Sequence, residues 1–529
     1  MLLLGIITFC IAIPLCSNTV NAFHYTRLAV IIFIMSGLLT IEIINIGVEE
    51  ISIYCSLVFQ SNRTLFMEVL LFMVGGLCLI TFHPKSNNKN SSITSITSQP
   101  HQYEEGTGWR DGSQSTMPKE YSLVVIFSVI GASIILSSYN LISIYLATEL
   151  QSFALYIIAA LSRDSLRSVQ ASLKYFILGA WSSAFILLGA GIIYTCTGST
   201  SLANMSNWIS STSTEPWSYA SLGLMFIYCG YIFKVSAAPF HNWAPDVYQN
   251  TPTVVTIMLI TIPKISIMTA LYTLTQEFIN TKVMYVLLVV AITSIILGTV
   301  TGLVQTQLRR LLAFSTISHV GFIVLCLSLG TESSNNALIF YIVQYSLSTI
   351  LIWICIIGYE NINLESVIHG SSKDWKMVNY ISDMRQSFSR YSIITFSIVI
   401  SLFSISGLPP LVGFIAKMNV LWSSVEEGAY VIFIIAIMSS VISASYYLKM
   451  IKIMMFDEPR ESGTSNSNSS SDSYSNSNSN SNSNSNSNSN SNISPLHAFS
   501  IATCTAFITL FILDSELLIN SIELAQFTI

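Results

Sequence analysis

Apolar runs long enough to cross a bilayer recur from one end of the chain to the other. A membrane-spanning helix needs about 20 apolar residues, because the hydrocarbon core is roughly 30 Å thick and a helix rises about 1.5 Å per residue. Hydropathy places fourteen such spans at residues 2–17, 28–48, 64–82, 121–139, 141–161, 175–196, 218–239, 253–275, 283–303, 311–329, 336–358, 391–420, 429–455 and 496–519. The fourth and fifth are parted only by Ser137-Ser138-Tyr139-Asn140. Lipid offers no partner to backbone N–H and C=O groups, so each run is expected to be helical. The first run is apolar from Leu2 and lacks a basic stretch ahead of it, so it reads as a span and not as a cleavable leader.

Two polar stretches interrupt this pattern. Residues 84–119 are rich in Ser, Asn, Lys and Gln, and residues 457–494 are dominated by a Ser-Asn repeat. The repeat cannot bury a core and is expected to be a disordered loop. Composition strengthens the membrane reading. Of 529 residues, 52% are hydrophobic and only 9% charged, against roughly 25% charged in an average soluble protein. The net charge of −5 says less than where the charges fall.

Number the loops by the spans they join. Those between spans 1–2, 3–4, 5–6, 9–10, 11–12 and 13–14, with Lys449 and Lys452 beside the last, hold 17 of the 22 basic residues. The opposite loops hold only Arg63 and Lys282. The positive side of a membrane protein faces the cytoplasm or, in a mitochondrion, the matrix. An even number of spans returns both termini to the other side.

Three basic residues remain: Lys234, Lys264 and Lys417, each inside an apolar segment. A lysine at mid-membrane costs about 2.5–3.5 kcal/mol on insertion scales. Near a helix end it can snorkel to the interface, which suits Lys234 and Lys417 better than Lys264. Burial penalises a lysine's charged form and a nearby carboxylate restores it. A lysine balanced in this way can carry a proton. Glu149, flanked by apolar residues, is the carboxylate candidate. Glu42 and Glu68 also fall in spans without a clear partner. His319 opens an apolar span, and histidine suits proton relay as readily as a satisfied structural position.

Two spans contain helix breakers at depth. One reads Lys234-Val-Ser-Ala-Ala-Pro239-Phe-His241, the other Ser406-Gly407-Leu-Pro409-Pro410-Leu-Val-Gly413. Proline removes a backbone donor and clashes with the preceding turn. Paired broken helices point to an inverted-repeat transporter with its site at the midplane. The lysine precedes the proline in one span and follows it in the other. The nine cysteines are scattered, with no C-x-x-C and no clustered histidine. They read as small packing residues, so neither zinc nor an iron–sulfur cluster is expected. Walker, H-E-x-x-H and dinucleotide motifs are missing too, which leaves the chain without an expected redox or nucleotide site.

Four segments carry a resemblance: Glu149-Leu-Gln-Ser-Phe-Ala-Leu-Tyr156, Lys174-Tyr-Phe-Ile-Leu-Gly-Ala180, Ala238-Pro-Phe-His-Asn-Trp-Ala-Pro-Asp-Val-Tyr248, and Thr251-Pro-Thr-Val with Pro263-Lys264. They resemble NADH–ubiquinone oxidoreductase chain 2, an antiporter-like family in the proton-pumping arm of respiratory complex I. The resemblance covers roughly residues 120–455, is weak over the first three spans and is absent from both polar insertions. It implies an all-α polytopic protein of about 14 helices, with two inverted five-helix repeats and broken helices 7 and 12. The implied divisions are three helices in 1–83, a polar loop in 84–119, repeats in 120–275 and 283–456, the Ser/Asn loop in 457–494 and a last helix in 495–529. Glu149, Lys234, Lys264, His319 and Lys417 match the family's polar axis along the membrane midplane.

The implied function is proton translocation, within a complex that oxidises NADH and reduces ubiquinone. NADH, FMN, iron–sulfur clusters and ubiquinone would be handled by other subunits, and this chain would bind no cofactor. Expected partners are neighbouring membrane-arm subunits and lipid, without nucleic acid. The expected location is the mitochondrial inner membrane, with basic loops in the matrix and both termini in the intermembrane space. A subunit of a multisubunit cation/proton antiporter is the alternative. A passive scaffold would be a third reading, but three buried lysines are a costly feature for a scaffold.

Overall fold

A computed structural model describes residues 1–16, 21–46, 51–54, 57–81, 118–162, 165–211, 214–278, 281–368, 378–457 and 494–526. The polar stretches 84–119 and 457–494 lie, apart from their boundary residues, outside the described residues. So do Lys85, Lys89, Arg110, Arg163, Lys373, Lys376 and Arg460 of the basic loops.

The chain opens with α1 (Leu2–Leu15), α2 (Ala22–Ile46) and α3 (Asn62–Ile80). Between α2 and α3, β1 (Ile51–Ile53) and β2 (Val58–Gln60) pair antiparallel with Ile51 opposite Gln60. A first group follows: α4 (Tyr121–Ser137), α5 (Leu141–Ala160), α6 (Leu166–Thr197), α7 (Leu202–Ser211), α8 (Thr214–Val235), α9 (Trp243–Asn250) and α10 (Thr253–Glu277). The second comprises α11 (Thr281–Val304), α12 (Leu308–Leu329), α13 (Glu332–Ile368), α14 (Ser387–Arg390), α15 (Ser392–Ser406), α16 (Val412–Glu426) and α17 (Tyr430–Met455). The chain closes with α18 (Pro495–Leu510) and α19 (Ser515–Gln526).

Among the described residues, nine helices are long and apolar enough to cross a membrane, and five more are shorter apolar helices. Together they occupy the fourteen expected spans, with α15 and α16 sharing the broken twelfth. Three details differ from the hydropathy reading. α6 begins at Leu166, so Arg167 and Lys174 belong to a helix and not to a loop. The connection from α6 to α8 carries the short helix α7. The last span ends at Leu510, where a 3-10 turn over Phe511–Asp514 leads into α19. The polar cluster Asp514-Ser515-Glu516 restarts the helix there, with Glu516 in its first turn.

The two groups are built alike. α4 packs on α5 and α10, as α11 packs on α12 and α17. α6 packs on α5 and α8, as α13 packs on α12 and on the α15–α16 pair. Five crossings separate α4 from α11, so corresponding helices run in opposite directions and the repeat is inverted. A close helix–helix contact also recurs. A Cβ on Gly131 would lie 2.7 Å from the Gln151 backbone nitrogen, and one on Gly298 would lie 2.6 Å from that of Ser318. Helices in lipid pack through small residues of this kind, since lipid gives no hydrophobic drive to associate.

α10, α12 and α13 are enclosed along nearly their whole length, whereas α2, α6 and α17 are mostly exposed. The repeats are also tied by charge near the basic face. Arg309 of α12 donates to Glu360 of α13 (2.9 Å) and to the Thr251 carbonyl (3.2 Å), and Thr253 completes the carboxylate at 3.1 Å. The sequence reading counted Arg309 among loop charges. It is instead buried, because Glu360, two residues past the end of the expected span 336–358, supplies its counter-charge. Asp246 of α9 pairs with Lys174 and, at 3.6 Å, with Arg310.

Candidate functional site

The two broken spans end their first halves in the same way. In α8 the Ala237 N–H donates to the Ile232 carbonyl (3.1 Å) and Ser236 takes the left-handed conformation, φ 66°. In α15 the Leu408 N–H donates to the Phe403 carbonyl (3.2 Å) and Gly407 has φ 81°. A left-handed residue with this backbone bond is a Schellman cap. A proline follows three residues later in each, Pro239 and Pro410, with Pro409 just before the second. The breaks therefore match residue for residue, although their lysines do not.

The lysines are equivalent in position nonetheless. A helix C-terminus carries partial negative charge on its unpaired carbonyls. Lys234 lies in the last turn of α8. Lys417 comes from the second turn of α16 and donates to the carbonyl of Ser406, the last residue of α15 (2.8 Å). Each half-helix that stops inside the protein thus has a lysine at its last turn, Lys417 bonded to a terminal carbonyl and Lys234 to Glu149. One is supplied by the helix itself and the other by the helix that follows.

Gly407 is held for two reasons. Its φ excludes most side chains, and an added Cβ would sit 2.8 Å from Lys417 Cδ. Gly407→Ala is expected to cost about 1–2 kcal/mol from the left-handed backbone alone, with the displacement of Lys417 in addition. Thermal unfolding of the detergent-solubilised protein reads this as a lowered midpoint, and an unchanged midpoint would contradict it.

Glu149 sits mid-helix on α5, whose start is capped by the Asn140 side chain accepting from the Ile142 N–H (3.0 Å). The Lys234 ammonium donates to Glu149 Oε1 at 3.0 Å, with side-chain exposures of 7% and 16%. That burial rules out snorkelling for Lys234, and Lys417 is likewise buried. Lys264 is 3% exposed at the middle of α10. Its ammonium donates to Tyr345 Oη (3.0 Å) and lies over the Tyr345 and Tyr248 rings, 5.3 and 5.9 Å from their centroids. Facing aromatic rings offset part of the cost of a buried cation.

His319 continues the line. Its Nδ1 shares a hydrogen bond with Tyr341 Oη (2.8 Å) and its Nε2 one with Tyr447 Oη (3.4 Å). A neutral imidazole accepts on one nitrogen and donates on the other, so the ring links two hydroxyls. Tyr345 is its neighbour at 5.9 Å between rings. Beyond it, Phe322 stacks on Tyr341 and lies under Lys417, 5.8 Å from the ammonium. Beside Lys234 is a cavity of ≈ 20 Å³, lined also by Gln151, Tyr156, Tyr175, Trp243 and, from α10, Pro263, the residue before Lys264. Roughly 10–15 Å³ suffices for one water. Gln151 accepts from Ser266 Oγ (3.0 Å), while its buried Nε2 has no hydrogen-bond partner among the described residues.

All five expected residues therefore fall in one row: Glu149 and Lys234, then the cavity, then Lys264, His319 and Lys417. Glu42 and Glu68 do not join it. Glu42 is exposed on α2, and Glu68 is buried on α3, which carries no other member of the row. The sequence reading missed Gln151, Tyr248, Tyr341, Tyr345 and Tyr447. Tyrosine is common in apolar spans, and only contact with a lysine or histidine distinguishes these four. Gln151 carried a signal, as an amide two residues from Glu149.

The chain matches the family model for the transmembrane region of NADH:quinone oxidoreductase and Mrp antiporter subunits over residues 138–443. It is 35% identical to an NADH-ubiquinone oxidoreductase chain 2 from Rhizopus oryzae, over 99% of this chain and 98% of that one. Among solved structures, a chain of Thermus thermophilus respiratory complex I superposes with a TM-score of 0.73 at 21% identity, covering 98% of this chain and 99% of that one. A chain of the Mrp complex from Dietzia superposes at 0.77 with 14% identity, covering 99% and 95%. These two likenesses speak for the fold.

Proposed function

The chain belongs to the chain 2 family of NADH–ubiquinone oxidoreductase, and on that premise we propose how it performs its part in proton translocation. It is a membrane subunit of respiratory complex I, moving protons while other subunits oxidise NADH and reduce ubiquinone. The observation that carries the mechanism is the succession of buried titratable and hydroxyl groups through both repeats, linked in part by hydrogen bonds. The Glu149 carboxylate lies 3.0 Å from the Lys234 ammonium, where a negative charge favours the protonated lysine. When that influence weakens, Lys234 releases its proton into the Gln151 cavity, toward Lys264. From Lys264 the Tyr345 hydroxyl and the His319 pair with Tyr341 and Tyr447 lead to Lys417. Lys417 passes charge to the next subunit of the membrane arm. Binding energy from a ligand is not required, since shifting one charge in the row alters its neighbours by Coulomb interaction in a low-dielectric interior.

The redox groups are assigned to other subunits. Mitochondrial relatives and the charge bias support an inner-membrane location, with the basic loops in the matrix and both termini in the intermembrane space. The fold is shared with a cation/proton antiporter complex, so the transported ion decides between the readings. In proteoliposomes holding the assembled complex, NADH-driven proton uptake is expected at equal rates in sodium-containing and sodium-free buffer. A requirement for sodium would favour the antiporter reading.

A further inference from the structure

A second cavity, of ≈ 60 Å³, lies on the face opposite the basic loops, among the ends of α3, α4, α10 and α13. Its walls are graded with depth. At the rim, where helices begin or end, are Ser61, Arg63, Gln276 and Glu277. One to two turns deeper the lining is Met67, Thr269, Leu338 and Ile339, and Leu136 joins them from the end of α4. From Glu277 back to Thr269 is about 12 Å along α10. Polar groups above and apolar groups below match the polarity of a lipid molecule entering from the interface.

The rim carries one charge of each sign, and they do not pair with each other. Arg63 is one of only two basic residues assigned to this face. Its Nη1 donates to Tyr272 Oη (2.9 Å), and its guanidinium, 5.3 Å from the centre of that ring, forms no ion pair among the described residues. Four of its five donors have no described partner, in a fork that suits phosphate oxygens. Glu277 accepts from the Tyr139 hydroxyl. A carboxylate at the same rim disfavours a purely anionic headgroup and suits an ammonium.

We propose that this cavity binds a zwitterionic glycerophospholipid, with its phosphodiester on Arg63, its ammonium toward Glu277 and the start of an acyl chain on the Met67–Ile339 floor. The site is separate from the buried row and does not depend on the translocation reading. Lipid held there would brace the junction of the N-terminal helices α3 and α4 with α10 and α13 of the two repeats.

The test uses the intact complex in vesicles doped with diazirine-acyl phosphatidylethanolamine, phosphatidylglycerol or diacylglycerol. Cross-links are mapped to peptides containing Met67, Leu136 and Ile339. The expected order is phosphatidylethanolamine first, phosphatidylglycerol at least threefold lower and diacylglycerol lowest, with equal labelling by all three at Trp181, on the exposed face of α6. Arg63→Gln should lower phosphatidylethanolamine labelling of the cavity at least fivefold and leave Trp181 unchanged. Equal labelling by diacylglycerol, stronger labelling by phosphatidylglycerol, or no cavity labelling in the unmodified complex would each overturn the proposal. Because those arms use the unmodified complex, the test stands even where Arg63→Gln fails to assemble.

Discussion

Lys264→Met abolishes proton translocation while leaving the complex assembled, and quinone reduction falls with it because the two are coupled. Lys264 is buried at the middle of α10 and its one hydrogen bond among the described residues is to Tyr345. Methionine retains the unbranched apolar stem and removes only the titratable head, so packing changes little. On insertion scales the substitution relieves the cost of a mid-membrane lysine, about 2.5–3.5 kcal/mol. The chain should thus become easier to insert as it loses its function. Proton transfer would have to pass from the Gln151 cavity to His319 with only the Tyr345 hydroxyl, a poor base, between them. A decrease of at least tenfold, which corresponds to about 1.4 kcal/mol of added barrier, is expected from proton uptake in proteoliposomes normalised to the amount of complex. Pumping at the unmodified rate would remove Lys264 from the pathway.

Glu149→Gln should do more damage to assembly, and a second substitution should repair only that part. Removing one member of a buried ion pair typically costs about 3–5 kcal/mol, because the other charge stays buried without compensation. Lys234 would be that charge, at 7% side-chain exposure. The helix C-terminus of α8 relieves a fraction of the loss. Lys234→Met in the same chain removes the stranded ammonium and should restore complex levels on native gels. Pumping should stay absent, since neither proton carrier is left. The double substitution separates the two roles: complex levels should recover while translocation stays lost. If the double substitution pumped normally, the pair would be structural only.

Much of this was legible without coordinates, for a physical reason. In lipid every backbone group must be satisfied within its own segment, so local hydropathy dictates helices. Any lysine left in such a helix is costly enough to stand out. That is why Lys234, Lys264 and Lys417 emerge once the other charges are assigned to the two faces. Arg309 marks the limit of what local hydropathy reports. Close to an expected span end, it counts as a loop charge, and only Glu360, 51 residues later, reveals that it is buried and paired. The β1–β2 pair and α7 were missed because short elements outside the spans carry no hydropathy signal of comparable strength.

The sequence by itself determined the number of spans, the two broken helices and the identity of the five charged or titratable positions. The tertiary structure decided which of them meet. It brought Lys234 to Glu149, set Lys264 among tyrosines from both repeats, and placed Lys417 on the last carbonyl of α15. It also turned two unlike proline motifs into one repeated cap with a lysine beside it. Insertion cost is a property of single residues and their neighbours in the chain, so sequence reports it. Pairing depends on which helix faces which, and in lipid that is set by close packing at positions such as Gly131 and Gly298. That packing joins residues far apart in the sequence and leaves no local trace.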